Sequence, residues 1–165
     1  MHRSIRTFAT ADWPAVKRIY EAGLATGLAS FETEAPSYEN WADQTESACR
    51  LVLEEGQQII GWCKVSAVSS RQVYKGVGEV SVYVDPAHKG KGIGMALLQA
   101  LICASEAQGF WTLQASIFPE NHASLQLHLK NGFREVGRRE RIGQRAGVWR
   151  DTILLERRSQ VNGWA

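Results

Sequence analysis

The sequence has few of the features that mark secreted, membrane-spanning or nucleic-acid-binding proteins. It holds three cysteines, Cys49, Cys63 and Cys103, an odd number without metal-like spacing, which favours a reducing compartment. The N-terminal segment lacks the apolar core of a signal peptide, and no run approaches the ~20 apolar residues of a membrane span. The formal net charge of +2 is too small to indicate a nucleic-acid surface. We therefore expect a cytoplasmic protein without a nucleic-acid, membrane or metal partner.

The chain also lacks internal repeats, linkers and low-complexity segments. Its 165 residues, of which 44% are hydrophobic and 22% charged, suffice for one domain with a buried core. We therefore expect a single domain over residues 1–165, with a tail that frays from about residue 158. Cys63 and Cys103 lie in apolar patterns, and both are expected in the core.

Strand and helix patterns follow one another in a mixed order. Strands are predicted over 4–9, twice within 50–68 about a tight turn at 55–57, and over 78–84, 111–118, 133–142 and 148–157. Helices are predicted from an N-cap at Thr10 to Leu24, from an N-cap at Ser37 through 38–50, and over 91–109 and 121–132. Early strands followed by a βαβα order predict an α/β (α+β) fold with a single sheet.

A run of alternating glycines, "KGKGIGM" from Lys89 to Met95, stands where a strand pattern gives way to a helix pattern. Bare amides at a helix N-terminus, together with the helix dipole, form an anion site, most often for phosphate. The candidate ligands are the amides of Gly90, Lys91, Gly92, Ile93, Gly94 and Met95, with the charges of Lys89 and Lys91. The stretch does not match a P-loop, and Met95 replaces the third glycine of a dinucleotide fingerprint. A glycine-rich turn without a ligand is the alternative.

The surroundings of this loop carry a family resemblance. "VYVDPAHKGKGIGMALLQAL" resembles the coenzyme A loop of the GNAT acyltransferase superfamily, with Lys89 where that family usually has arginine or glutamine. "NHASLQLHLKNGF" is similar to the second signature of the family. The resemblance implies acetyl-CoA as cosubstrate. It also implies a central mixed, mostly antiparallel twisted sheet of six to seven strands, flanked by about four helices.

A narrower resemblance concerns the acceptor of the acetyl group. "SFETEAP", "GEVSVYV", "LH…GF" and "GVWRD" resemble the phosphinothricin acetyltransferase and L-amino-acid N-acyltransferase branch. The resemblance implies acetylation of the α-amine of a small amino acid or toxic analogue, by direct attack in a ternary complex, and a homodimer. Two alternatives stay open: a GNAT enzyme for a polyamine, aminoglycoside or protein N-terminus, and a non-catalytic coenzyme A-binding module.

Two residues are candidates for proton transfer. In the strand "EVSVYV", period two places Glu79, Ser81 and Tyr83 on one face and valines on the other. Apolar neighbours could raise the pKa of Glu79 towards that of a general base, whereas the simpler interpretation is a strand-end carboxylate. His128 shares an apolar helical face with Leu125, which is typical of a core residue. The resemblance makes it a candidate acid for the leaving thiolate.

The resemblance also supplies candidates for the two ligands. Backbone groups of Val82, Tyr83 and Val84 would bind the thioester and the pantetheine arm where two strands splay apart. On the second signature helix, Asn121 is an N-cap that could also bind the arm, and Ser124 and Lys130 could reach the far end of the cofactor.

For the acceptor, Arg71 in the polar loop "SSRQVYKG" is the candidate for binding a carboxylate. The other candidate acceptor residues are Gln72, Val73, Tyr74, Phe31 and Glu32. Trp149 and Asp151 match the late motif of the branch, and either could be purely structural.

Overall fold

Strands and helices of the computed structural model, which describes residues 2–43 and 45–164, are arranged around one sheet. The strands are β1 (Arg3–Thr7), β2 (Thr45–Glu55), β3 (Gln58–Ala67), β4 (Val77–Val84), β5 (Thr112–Ile117), β6 (Arg134–Arg145) and β7 (Val148–Arg158). The helices are α1 (Trp13–Ala25), α2 (Tyr38–Ala42), α3 (Ile93–Ala107) and α4 (His122–Lys130). Short 3-10 turns lie at Thr10–Asp12, Gln72–Tyr74 and Pro86–His88.

The seven strands are ordered β1-β2-β3-β4-β5-β7-β6. Every neighbouring pair is antiparallel except β4 and β5, which run parallel. The parallel pairing covers only Val77–Glu79 against Thr112–Gln114, so the two strands diverge beyond Glu79. The predicted mixed, mostly antiparallel sheet with about four helices is confirmed.

Two apolar clusters cover the two faces of this sheet. On one face, α3 packs its buried leucines, among them Leu97 and Leu101, against aliphatic side chains of β2 to β5. On the other face, α1 and α2 pack an aromatic cluster that includes Trp41 and Trp62. Because side chains alternate along a strand, the even-numbered valines of β4 face α3, whereas Tyr83 stacks on Trp62 at 4.8 Å between ring centroids. The predicted alternation of β4 is therefore correct.

The second helix is shorter than the sequence pattern predicts. Ser37 caps it as expected, its hydroxyl accepting a hydrogen bond from Asn40 N at 3.2 Å, but α2 ends at Ala42. The prediction of helix as far as residue 50 is wrong, because Cys49, Leu51 and Leu53 place alternate side chains on the α3 face of β2. A period of two suits a strand and cannot bury one face of a helix.

One prediction about burial is corrected. Cys63 is buried as expected, but Cys103 is exposed, because the buried stripe of α3 runs through Leu98, Leu101 and Ser105 on the opposite side of the helix. The described segment after β7 has no regular secondary structure, and its expected fraying stays a prediction. Its polar groups bind main-chain oxygens: Asn162 Nδ2 donates to Glu106 O at 2.8 Å and to Phe110 O at 2.9 Å, and Trp164 Nε1 donates to Ser159 O at 2.7 Å.

Candidate active site

The divergence of β4 and β5 leaves main-chain groups of β4 directed into a gap. Asp85 N donates to Ile60 O of the neighbouring strand segment at 2.8 Å. Since alternate residues of an antiparallel pair bond across to the partner, Ser81 and Tyr83 also bond towards β3. The amides of Val82 and Val84 therefore point to the open side, where the described part of β5 offers no rung beyond Glu79. The predicted divergence of the two strands is present, and it leaves the amides of Val82 and Val84 facing the gap.

A cavity of about 640 Å³ opens at this gap, which is large enough for a cofactor arm and a small molecule. It is bordered by β3, β4, β5, the glycine loop, α4 and the segment after α1. Thirteen of the predicted site residues line it: Phe31, Glu79, Val82, Tyr83, Val84, Lys89, Gly90, Gly92, Ile93, Gly94, Asn121, Ser124 and His128.

The glycine loop has a backbone that favours glycine. Gly90 and Gly92 have φ angles of 75° and 77°, in the left-handed region, and Gly92 is the N-cap of α3. A Cβ atom at either position would meet no protein atom within 4 Å, so the space above the loop is open. Exposed amides at the start of a 15-residue helix, beside Lys89, have the arrangement that an anion site requires, and anion binding by this loop stays a prediction.

One ion pair and two hydrogen bonds hold this loop and the segment before it in place. The carboxylate of Asp85 accepts from Ala87 N at 3.0 Å and lies 3.1 Å from Arg18 Nη1. Burial opposes its ionisation, but the Ala87 amide and Arg18 outweigh burial and lower the pKa of Asp85. Arg3 Nη1 donates to Lys91 O at 3.1 Å. The loop is thus tied to α1 and to β1.

Glu79 occupies the last paired position before the strands diverge. Its Oε1 lies 3.3 Å from Gln114 Nε2 and 3.5 Å from Ser116 Oγ, and both neutral groups donate to it. No ion pair within 4.0 Å joins it to any described residue. A half-buried, unpaired carboxylate held at the mouth of the gap is suited to accept a proton.

His128 is in a different environment. Its ring is 5% exposed, packs edge-on against Phe133 at 5.1 Å, and places Nδ1 2.7 Å from Ser124 O. A carbonyl only accepts, so Nδ1 carries the proton in this arrangement. Burial lowers the pKa of His128, against the opposing effect of the Ser124 carbonyl. A neutral ring without a proton on Nε2 is a poor acid, so the geometry favours the core interpretation.

Asn121 and Phe31 connect the cavity to the segment after α1. The Asn121 side chain accepts from Ser124 N at 3.3 Å, as predicted for an N-cap, and donates to Leu28 O at 3.2 Å. Phe31 packs edge-on against Phe118 at 4.9 Å, which forms an apolar wall. This wall lines the cavity, and its contact with an acceptor stays a prediction.

The remaining predicted residues lie outside this cavity. Arg71, Gln72, Val73 and Tyr74 form an exposed turn in which the Arg71 guanidinium stacks on the Tyr74 ring at 5.3 Å. Asp151 is engaged by Arg138 at 2.7 Å, and Trp149 is exposed. Glu32 is exposed as well. Of the cofactor candidates, Lys91, Met95 and Lys130 do not line the cavity. The binding roles of these residues stay predictions.

Several cavity residues escaped the sequence reasoning, among them Tyr20, Lys64 and Ser66. Tyr20 stacks on Tyr83 at 4.8 Å, and burial, with the charge of Glu32, raises the pKa of Tyr20. The signal for Lys64 was available, because it is a charged residue in the otherwise apolar strand "IIGWCKV". Period two also places it on the face of the sheet that carries Trp62.

In the described residues, no helix combines the length and the apolar character that crossing a membrane requires. The same part of the chain holds no cluster of three or more histidine, cysteine, aspartate or glutamate side chains that could bind a metal ion.

Comparisons with known proteins point to one family. The family model described as "Acetyltransferase (GNAT) family" matches residues 13–133. The phosphinothricin N-acetyltransferase of Alcaligenes faecalis is 32% identical, over 93% of this chain and 81% of that protein. The L-methionine sulfoximine/L-methionine sulfone acetyltransferase of Pseudomonas paraeruginosa is 30% identical, over 94% of each. A crystal structure of a GNAT superfamily phosphinothricin acetyltransferase from Sinorhizobium meliloti, in complex with acetyl-CoA, superposes with a TM-score of 0.85 at 29% identity and covers 96% of this chain and 89% of that one.

Proposed function

The chain belongs to the acetyltransferase (GNAT) family and is an N-acetyltransferase, and we propose that its acceptor is the α-amine of a small amino acid or a toxic analogue. The proposed analogues are phosphinothricin, methionine sulfoximine and methionine sulfone. Acetylation of such an analogue would detoxify it. The observation that carries the proposal is the position of Glu79, a carboxylate at the point where β4 leaves β5 and exposes its amides. The names of relatives at 30% and 32% identity support the acceptor class.

The donor is acetyl-CoA, which supplies an activated thioester. The residues present fit it, because the glycine loop offers amides and open space for a diphosphate, and β4 offers two unpaired donors for an extended amide arm. Lys89, Gly90, Gly92 and Gly94 would hold the diphosphate. The amides of Val82 and Val84 would hold the arm and polarise the thioester carbonyl. Asn121 and Ser124 border the same channel.

Glu79 is the group placed to remove a proton from the acceptor, directly or through one water molecule, since an amino acid presents its amine as a cation. The amides at the gap stabilise the negative charge that develops on the carbonyl oxygen. Direct attack in a ternary complex is favoured over a covalent thiol route, because none of the described residues that line the cavity is a cysteine. Burial also raises the pKa of Cys49 to about 11 and holds that of Cys63 above its usual range.

The proposal extends to assembly and location. β6 is an edge strand of the sheet and exposes Ile142, and the neighbouring strand β7 exposes Val148 and Trp149. An edge strand with exposed apolar side chains is suited to a homodimer contact. The three cysteines are free thiols, in keeping with a cytoplasmic setting.

The test is a thiol-release assay with acetyl-CoA and a panel of amines: phosphinothricin, methionine sulfoximine, methionine sulfone, the common amino acids, spermidine and an aminoglycoside. We expect turnover with the methionine-like and phosphinothricin-like amino acids, above the rate of hydrolysis without amine. Turnover confined to spermidine or the aminoglycoside would refute the acceptor class. Binding of acetyl-CoA without turnover of any amine would favour a binding module.

A further inference from the structure

One cation of the cavity is not used by the proposed chemistry. Lys64 of β3 lines the cavity and is half-buried. In the β3–β4 register it lies opposite Ser81, while Ser66 lies opposite Glu79. Lys64 and Glu79 therefore project from the same face of the sheet at diagonal positions, which places the two residues roughly 7–8 Å apart, with their Cβ atoms somewhat closer.

The ammonium of Lys64 is held by a neutral partner. Its Nζ donates to Trp41 O at 2.7 Å and lies 5.1 Å from the centroid of the Trp41 ring. No carboxylate of a described residue lies within 4.0 Å of it. An ammonium has three donor hydrogens, so at least one remains available.

A second cation increases the positive charge at this site. Arg50 of β2 lies opposite Lys64, has no ion pair in the described part of the chain, and buries its Nε without a hydrogen-bond partner. Burial first, and then repulsion from Arg50, lower the pKa of Lys64 to about 8. Half-buried charges in proteins are usually paired, so an uncompensated cation beside a cavity points to an anion supplied by a ligand.

Lys64 and Glu79 do not neutralise each other across the cavity. Lys64 is drawn towards α2 by Trp41 O, and Glu79 is held towards β5 by Gln114 and Ser116. The cavity therefore has a cation, Lys64, on one side and a carboxylate, Glu79, on the other, both on the same face of the sheet. A zwitterion with an ammonium and a carboxylate matches this arrangement in one orientation, with its amine towards Glu79 and the gap.

We propose that Lys64 binds the carboxylate of the acceptor, so that the enzyme selects amines that carry an anionic group one carbon away. The inference rests on the proposed function, which it deepens by naming the contact that distinguishes an amino acid from a simple amine. It gives to Lys64 the role that the sequence suggested for Arg71, because Arg71 lies outside the cavity of its own chain.

The experiment compares L-methionine sulfone with its carboxamide, which keeps the amine and side chain and removes the negative charge. The measured quantity is the preference ratio, kcat/KM for the acid divided by kcat/KM for the amide. We expect Lys64→Met to lower this ratio about tenfold or more, mainly through KM for the acid, since a charge-assisted hydrogen bond is lost. Lys64→Arg should keep most of the preference. Lys17→Met is the matched control, because Lys17 lies on the outer face of α1, pairs with Glu21 at 3.8 Å and does not line the cavity.

The Kd for acetyl-CoA, measured by calorimetry for each variant, reports whether the cavity is intact. An unchanged preference ratio in Lys64→Met, with an unchanged Kd, overturns the inference. Equal losses of kcat/KM with the acid and with the amide also overturn the inference. They would show that Lys64 acts only by stabilising the cavity through its hydrogen bond to Trp41 O. These outcomes leave the proposed function standing if the wild-type enzyme acetylates the acid. A wild-type enzyme that acetylates only non-amino-acid amines refutes the proposed function and this inference together.

Discussion

The two halves of the cavity are built from different parts of the polypeptide. The half proposed to bind the cofactor, called the cofactor half, consists of main chain: amides of β4 at the gap and of the loop around Gly90 and Gly92. The half proposed to bind the acceptor, called the acceptor half, consists of side chains, chiefly Tyr20, Lys64 and Glu79, with an apolar wall behind them. A main-chain site can bind a donor common to a whole family, whereas side chains can change the acceptor without disturbing the donor.

The largest expected effect is a loss of acetyl-CoA binding, caused by a substitution in the cofactor half alone. Gly92→Val should raise the Kd for acetyl-CoA by more than about 100-fold, because the side chain fills the anion space and several charge-assisted hydrogen bonds are lost. Gly147→Val is the matched control. Gly147 has a φ of 80° against 77° at Gly92, and its Cβ position is equally open, but it lies in the β6–β7 turn.

Both glycine variants should lose stability through left-handed strain, and calorimetry of acetyl-CoA binding separates that shared cost from the loss of the site. If Gly92→Val binds acetyl-CoA as tightly as Gly147→Val, the loop is not the diphosphate site.

The second effect acts at the border of the two halves. Glu79→Gln keeps the shape and the hydrogen bonds from Gln114 and Ser116 but removes the base, so kcat should fall about 100-fold or more. The Kd for acetyl-CoA should stay near the wild-type value. Glu135→Gln, on an exposed position of β6, is the control and should retain full turnover. A kcat for Glu79→Gln within threefold of wild type would exclude Glu79 as the base.

The smallest effect concerns a residue that borders the cavity but belongs to the core. The folded state lowers the pKa of His128 below its unfolded value, so between those two values the unfolded chain binds more protons. The free energy of unfolding should therefore decrease as the pH falls below about 6.5, by at most ~1.4 kcal/mol per pH unit for one proton. Denaturant unfolding at pH 7 and pH 5 measures this decrease.

His128→Leu should reduce that decrease, whereas His122→Leu, at an exposed position of the same helix, should leave it unchanged. An equal pH dependence in both variants would show that His128 is not the group responsible. A large loss of kcat in His128→Leu, with stability maintained, would instead restore it as a catalytic acid.

The same division between main chain and side chains explains what the sequence could predict. The positive φ of Gly90 and Gly92 and the N-cap at Asn121 are local preferences, so the loop and the α4 start were predictable from a few residues. Family resemblance supplied the divergence of β4 and β5, which depends on a strand more than 30 residues away from Glu79.

The failures come from interactions between distant segments. The strand sequence marks Lys64 as unusual, but its position near Glu79 depends on the register with β4, and its bond to Trp41 depends on a segment more than 20 residues away. The helix prediction over 38–50 failed because apolar and polar residues alternate without a break from the short helix α2 into β2. The sequence therefore gives no signal for the end of the helix.

The divergence of β4 from β5 affects how a ligand can join the sheet. In the described strands, only three pairs of residues connect the part of the sheet formed by β1 to β4 with the part formed by β5 to β7. An extended molecule bound in the gap, as proposed for the arm of acetyl-CoA, would pair with β4 where the described part of β5 does not. It would act as an added strand beside the single apolar cluster that already joins β2 to β5 and β7.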